Sequence, residues 1–439
     1  MLSIKTDLDD VSWLKYIVSQ FKKINLLEFD IEVIGIGEKE KFKNIVFYTN
    51  CSNSGHLNIF NSQHNFSNTT SIKYIKDDLF ILNNTDTNQR GFDLAYDIFW
   101  NAFVFLSRYE EYASEMGGKN IGSYSLRHPR QDKDSFDIPI VNILFNELEY
   151  FLHINFKDLV FGKKQKDIID LSHDVDYIEK TIQLKIKQTV FNAVNVFRLM
   201  TRPVYCFKKI LELFKFAFSN TSYWCFDDWV NIEKKYNRTS TFYVYVKGKS
   251  RGFRSWLIDP SYDIKNNVKL QKKLIDLYKC GFQIGLHGSY NSAINCNQLQ
   301  YEKDELERIL GIKIVKTRQH WLNYSEDTTP DIHNRLFLFD STLGWNDRMG
   351  FRSGIASMYN PYDFKSKKAY DYEVIPQVIM DSNIYDYGLK QDVFNAAKLV
   401  LNRSKKFSKT TCVSISWHQR VCSSDYNWHL FYEELLSAF

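Results

Sequence analysis

The sequence predicts an α/β protein in two parts, a smaller α+β region followed by a domain in which strands alternate with helices. Three observations predict it. From Ile168 onward short apolar runs alternate with helix-period segments, the pattern of strands joined by helical crossovers. Ionisable residues recur at the carboxyl ends of those runs, where a parallel barrel gathers its site. The charged stretch Lys163 to Lys166 separates this part from an N-terminal portion without that alternation, which sets the domains at 1–163 and 164–439.

In order along the chain, residues 8 to 24 have helical spacing, with Val11, Leu14, Ile17, Val18 and Phe21 on one face. Strand-like runs follow at Phe29 to Ile36 and Asn44 to Tyr48, then a polar Asn/Ser-rich section from Cys51 to Thr70. From Asp93 one apolar helix is expected through Ile98, Phe103 and Leu106 to Tyr112, ended by Gly117-Gly118, and another opens at Ile138-Pro139-Ile140. Past the boundary, strands are expected at Ile168 to Leu171, Ser240 to Tyr245, Phe282 to Leu286, Ile314 to Thr317, Leu336 to Phe339 and Cys412 to Ser416. Helices are expected at Lys269 to Cys280 and after Cys225 to Trp229, where Asp227 and Asp228 serve the helix start. Thr181 to Phe218 is basic and amphipathic, either an outer helix with solvated lysines or a peripheral contact with an anionic membrane surface.

Composition narrows the function. With 57 basic against 52 acidic residues and a net charge of +5, nothing marks a nucleic-acid binder. No apolar stretch approaches the roughly 20 residues that span a bilayer, and Asp7, Asp9 and Asp10 stand where a signal peptide would be apolar. The seven cysteines are scattered and odd in number, so a reduced, cytoplasmic setting is expected. The aromatic share of 16% suits either a sugar-handling surface or a Phe-rich core.

The stretch Leu171-Ser172-His173-Asp174-Val175-Asp176 places two carboxylates two residues apart at the end of an apolar run. Alternate strand residues share a face, and two like charges buried together need a cation or a proton between them. An Asp-rich turn is the plain alternative. What favours a site is repetition at the same structural address: His287, Arg318 with His320, Asp340 and His418 all follow expected strands.

Asp174-Val175-Asp176, Gln283 to His287, Thr317-Arg318 and Ser416-Trp417-His418 resemble the successive motifs of the polysaccharide deacetylase superfamily, the NodB-homology carbohydrate esterases, over residues 168 to 420. Ser172 to Asp176, Gly285 to Tyr290 and Arg318 to His320 are more similar still to a WbmS-like subgroup found with bacterial surface-polysaccharide loci. Phe103 to Tyr112 resembles a helix of the N-terminal domain that accompanies that subgroup.

The resemblance implies a distorted (β/α)7 barrel that removes acetyl groups, N-acetyl before O-acetyl, from sugars with one divalent metal, zinc foremost. By its analogy Asp174 is the base, Asp176 a metal ligand, Arg318 the partner that keeps Asp174 ionised, and His418 the acid for the leaving amine. His287 is a second ligand. Four residues on, where the family commonly has a second histidine, stands Asn291. A third ligand then comes from His320 or from His173, or the site is degenerate, and Asn291 turns to substrate or to a metal-bound water. Trp321 and Trp417 are candidates to stack on sugar rings, or core residues. Asp347 and Arg352, in a segment resembling the one that closes the family's groove, bind substrate or tie down their loop. The expected partner is an acetamido-sugar or polysaccharide intermediate, nucleotide-linked or lipid-linked, met in the cytoplasm or at the inner membrane face. The competing expectation is a catalytically silent barrel that binds the same glycans or scaffolds other enzymes.

Overall fold

The computed structural model describes residues 1–62, 71–75, 79–83, 92–182 apart from 95 and 131, 218–248, 256–386 apart from 257, and 392–438, with scattered positions between 184 and 216. Most of the basic stretch 181–218, and with it the expected membrane contact, lies outside the described residues. The chain is mixed α/β and forms two compact units, Met1–Asp170 with Tyr324–Ser414, and Leu171–Asn323 with Ile415–Phe439. The division is discontinuous in sequence, whereas the charge run at 163–166 suggested a single boundary.

In the first unit β1 (Leu2–Thr6) lies between β2 (Ile31–Gly35) and β3 (Asn44–Thr49), and β3 pairs with β4 (Leu57–Phe60). All three pairings are parallel, which the α+β expectation did not anticipate. Between β1 and β2, α1 (Ser12–Ile24) buries Leu14, Ile17, Val18 and Phe21, the stripe read from the sequence. β5 (Ser71–Ile75) and β6 (Leu79–Asn83) pair antiparallel. The single apolar helix expected up to Tyr112 is two helices, α2 (Ile98–Leu106) and α3 (Tyr109–Met116). They part at Arg108, whose left-handed φ of 56° no helix interior accepts. The buried Arg108 guanidinium holds that turn by pairing with Glu326 at 2.6 Å. α4 (Ile140–Asn155) starts after Pro139, as expected.

The second unit opens within β7 (Ile168–Val175) and continues through α5 (Phe226–Lys235), β8 (Ser240–Val244), α6 (Val268–Lys279), β9 (Gln283–Gly288), α7 (Cys296–Leu310) and β10 (Lys316–Gln319). The strand and helix alternation read from the sequence is therefore present. β10, β9, β8 and β7 are neighbours in that order and pair in parallel. α6 and α7 are capped by Asn267 and Asn295, which accept the Leu270 and Gln298 amide protons, and Gly311 at φ 67° ends α7.

The chain then returns to the first unit for α8 (Thr329–Leu336), β11 (Phe339–Asp340), the hairpin of β12 (Tyr362–Asp363) and β13 (Lys368–Ala369), β14 (Glu373–Val374), β15 (Gln377–Met380), α9 (Asp381–Tyr385) and α10 (Val393–Phe407). β16 (Cys412–Ser416) carries it back, beside β7, where the Trp417 amide donates to the Ser172 carbonyl at 3.0 Å. α11 (His429–Ser437) closes the second unit.

One glycine of β9 is dictated by its neighbour. A Cβ on Gly285 would lie 2.6 Å from two ring carbons of Tyr243, the residue paired with it on β8. Gly285→Ala is expected to lower stability by about 1–3 kcal/mol through overpacking, read as an earlier midpoint in urea unfolding.

Candidate metal centre at the strand ends

Asp174 is the last but one residue of β7 and Asp176 follows its end, and both are buried. Directly paired residues on β9 and β10, His287 and Arg318, stand on the same ladder. Arg318 reaches across the sheet to Asp174, donating from Nη1 to Oδ1 at 2.7 Å and to Ser416 Oγ at 2.9 Å. Its guanidinium rides 4.4 Å over the ring of Tyr243 on β8. Three strand spacings of ~4.8 Å separate β10 from β7 in a flat sheet, so this contact requires the strands to curl. Gly285 leaves room for the Tyr243 ring beneath the guanidinium.

Burial alone would raise the Asp174 pKa, but Arg318, with help from His287 and His418, holds it below the ordinary carboxylate value. Asp176 follows the same logic more strongly. Burial pushes it up, and the imidazoles of His287, His418 and His320 with the Arg420 guanidinium hold it well below. For His287 burial pushes down, yet Asp174 and Asp176 carry the net shift upward.

Around Asp176 the contacts divide by oxygen. Oδ2 meets Arg420 Nη1 at 3.1 Å and His418 Nε2 at 3.3 Å. Oδ1 is buried without a hydrogen bond, 3.3 Å from His287 Nε2 and 3.7 Å from His320 Nε2. The other nitrogen of each ring has an acceptor: His287 Nδ1 lies 2.9 Å from the Arg318 carbonyl, and His320 Nδ1 lies 3.3 Å from Asp259 Oδ1. A carbonyl or carboxylate only accepts, so each Nδ1 carries a proton, and each Nε2, which faces Asp176, would offer its lone pair to a cation bound between them. Three lone-pair donors facing one point fit a cation. Among the described residues Asp176, His287 and His320 form the one group whose ligand atoms all lie within 4.8 Å of one another. Two imidazoles and a carboxylate form a donor set that zinc accepts.

Of the other expected site residues, His418 is the more open histidine, its side chain 16% exposed against 2% for His287. Asn291 is half-buried in the turn after β9, and Trp321 is exposed with a left-handed φ of 60°. Trp417 is corrected: it is fully buried, its indole N–H donates to the Trp428 carbonyl, and its ring packs on Tyr432. His173 is excluded as a ligand, since its ring nitrogens are taken by the Trp417 carbonyl and Glu233 in the core. Asp347 and Arg352 belong to the other unit, where the contacts they make are those of the loop-tying alternative. Asp347 accepts from the Ser125 and Leu126 amides, and Arg352 is buried against Glu111 at 2.6 Å. Asp340 likewise sits in that unit, beside His333. Sequence reading missed Arg420 and Asp259. Arg420 repeats a visible spacing, two residues beyond His418 as Asp176 is beyond Asp174 and His320 beyond Arg318. Asp259 follows no strand and carried no signal.

The turn after His287 rests on Glu302 of α7, which accepts the Ser289 amide at 3.1 Å and its hydroxyl at 2.5 Å. Gly288 has no room for a side chain, since a Cβ would lie 2.3 Å from Gln319 Oε1.

A family described as one of unknown function, DUF7033, matches residues 3–157. No curated protein matches the chain. Similar solved structures include a candidate polysaccharide deacetylase from Mycobacterium smegmatis, at 13% identity over 63% of this chain and 87% of that one, with a TM-score of 0.36. Another is a candidate polysaccharide deacetylase involved in O-antigen biosynthesis from Bordetella bronchiseptica, at 12% identity over 57% and 71%, TM-score 0.28. A third is a CE4-family pseudoenzyme from Bacillus anthracis, at 12% identity over 63% of each chain, TM-score 0.26. Likenesses this slight assign neither activity nor substrate to this chain.

Burial, outweighing the hydrogen bonds from Ser289 and Gln298, pushes the Glu302 carboxyl up from 4.5 to about 7. A folded-state pKa above the unfolded one means the folded protein binds the extra proton, so stability falls as pH rises from 4.5 to about 7 and is level beyond. Glu302→Gln is expected to flatten this slope, worth about 3 kcal/mol in order of magnitude, in urea unfolding compared at pH 5 and pH 7.5. An unchanged slope would refute it.

Proposed function

We propose that this protein is a metal-dependent deacetylase of acetylated sugars, acting on N-acetyl more readily than O-acetyl groups, with its site on a distorted (β/α)7 barrel. One observation carries the reading: Asp176 Oδ1, His287 Nε2 and His320 Nε2 converge on one point beside a separately ion-paired Asp174. The motif order from Asp174 to His418 supports it independently of geometry. A bound divalent ion, zinc first, supplies a Lewis acid for the acetyl carbonyl and lowers the pKa of water.

The remaining work falls to side chains. Asp174, kept ionised by Arg318, takes the proton of the attacking water. His418, the more open imidazole, gives a proton to the leaving amine nitrogen as the carbon–nitrogen bond breaks, leaving acetate and a free amine. Arg420 and His418 fix Oδ2 of Asp176 and so orient its Oδ1. Asn291 and the exposed Trp321 are the proposed sugar contacts, Trp321 through its ring face. The substrate is proposed to be a nucleotide-linked or lipid-linked acetamido-sugar of surface-polysaccharide assembly, met in the cytoplasm or at the inner membrane face. Among the described residues no helix is long and apolar enough to cross a membrane.

Asn291, in the place of a second motif histidine, favours one other reading, a silent glycan-binding barrel. Acetate release from acetamido-sugars separates the two. The enzyme reading expects zinc-dependent release that falls by about 10²–10⁴-fold in Asp174→Asn. Equal release by that variant would remove Asp174 as the base. Glycan binding with no release by the zinc-loaded wild type would establish the silent reading.

A further inference from the structure

We infer that Asp259 is the positioning residue that makes His320 a metal ligand. The inference rests on the metal-centre reading and concerns how this chain completes a donor set in which Asn291 offers no imidazole. Histidine ligands almost always donate their second ring N–H to a carboxylate or carbonyl, which fixes tautomer and ring orientation and raises ligand basicity. His287 has such a partner in the Arg318 carbonyl. The corresponding partner of His320 is Asp259 Oδ1, at 3.3 Å.

Asp259 is 1% exposed, and a carboxylate so buried is costly unless several donors address it. The same Oδ1 accepts the Tyr290 amide at 2.9 Å. Tyr290 is three residues beyond His287. In the reverse sense Asn323, three residues beyond His320, donates to the Tyr290 carbonyl at 2.7 Å. Asp259 therefore ties the segment after one ligand to the ring of the other. His320 needs this hold, because it begins an irregular turn in which Trp321 and Leu322 both have positive φ, 60° and 51°. A backbone of that kind does not by itself aim an imidazole.

The test is zinc affinity of the full chain, measured by competition with a chromophoric chelator for wild type, Asp259→Ala, Asp259→Asn and His320→Ala. Asp259→Ala is expected to weaken zinc about 10–100-fold. Asp259→Asn keeps an acceptor for the Tyr290 amide and is expected to fall between it and wild type. Metal-free unfolding midpoints report any general damage. A second readout needs no variant: two-bond ¹H–¹⁵N spectra of zinc-loaded wild type should show His320 protonated at Nδ1 and metal-bound at Nε2. Wild-type affinity in Asp259→Ala alongside loss in His320→Ala would overturn this inference alone, as would a His320 ring without a proton on Nδ1. Failure of wild type to bind zinc, or unchanged affinity in His320→Ala, would overturn the metal-centre reading and this one with it.

Discussion

Two carboxylates buried two residues apart at the end of β7 cannot both be ionised without positive charge brought to them, and the second unit is arranged around that requirement. Asp174 receives it from Arg318, which crosses from β10 over the Tyr243 ring. Asp176 receives part of it from Arg420 at Oδ2, while Oδ1 keeps no hydrogen bond and faces two imidazole nitrogens. The two aspartates are thereby made different. One is satisfied by a fixed guanidinium, and the other keeps one oxygen turned toward two imidazoles.

The sheet makes this distribution possible. Parallel strands put their carboxyl ends on one side, so residues from β7, β9, β10 and β16 meet although they are distant in sequence. Small residues have a matching task. Gly285 admits the Tyr243 ring that supports Arg318, and Gly288 admits the Gln319 side chain beneath the turn that follows His287. Ligand geometry is thus set by packing below the site as well as by the ligands.

Much of this was legible in the sequence, for physical reasons that can be stated. Strand ends were legible because apolar runs stop there and a charged residue follows; the pairs Asp174 with Asp176 and Arg318 with His320 reveal a side-chain period of two. Arg420 stands at the same two-residue spacing after His418, but in the 3-10 turn Gln419–Cys422 and not on a strand. Asp259 was not legible, because a loop carboxylate acquires its role only from the residues that folding brings to it. Trp417 misled for the opposite reason: an aromatic residue at a strand end reads alike whether it faces the site or, as here, the core against Tyr432. Asp347 and Arg352 carried charge in a loop-like segment, and only the fold shows that charge spent on Ser125, Leu126 and Glu111. The break between α2 and α3 was hidden because continuous apolar spacing does not reveal a left-handed Arg108.

The account stands or falls on whether Asp176 Oδ1 and two particular imidazoles share one cation. Zinc K-edge absorption spectroscopy of the reconstituted full chain measures this most directly. The account predicts one zinc per chain with two imidazole nitrogens and carboxylate or water oxygens in a first shell at about 2.0–2.2 Å, reduced to one imidazole in His320→Ala. A wild-type protein that holds no stoichiometric zinc, or whose zinc keeps both imidazoles after His320 is removed, would contradict it.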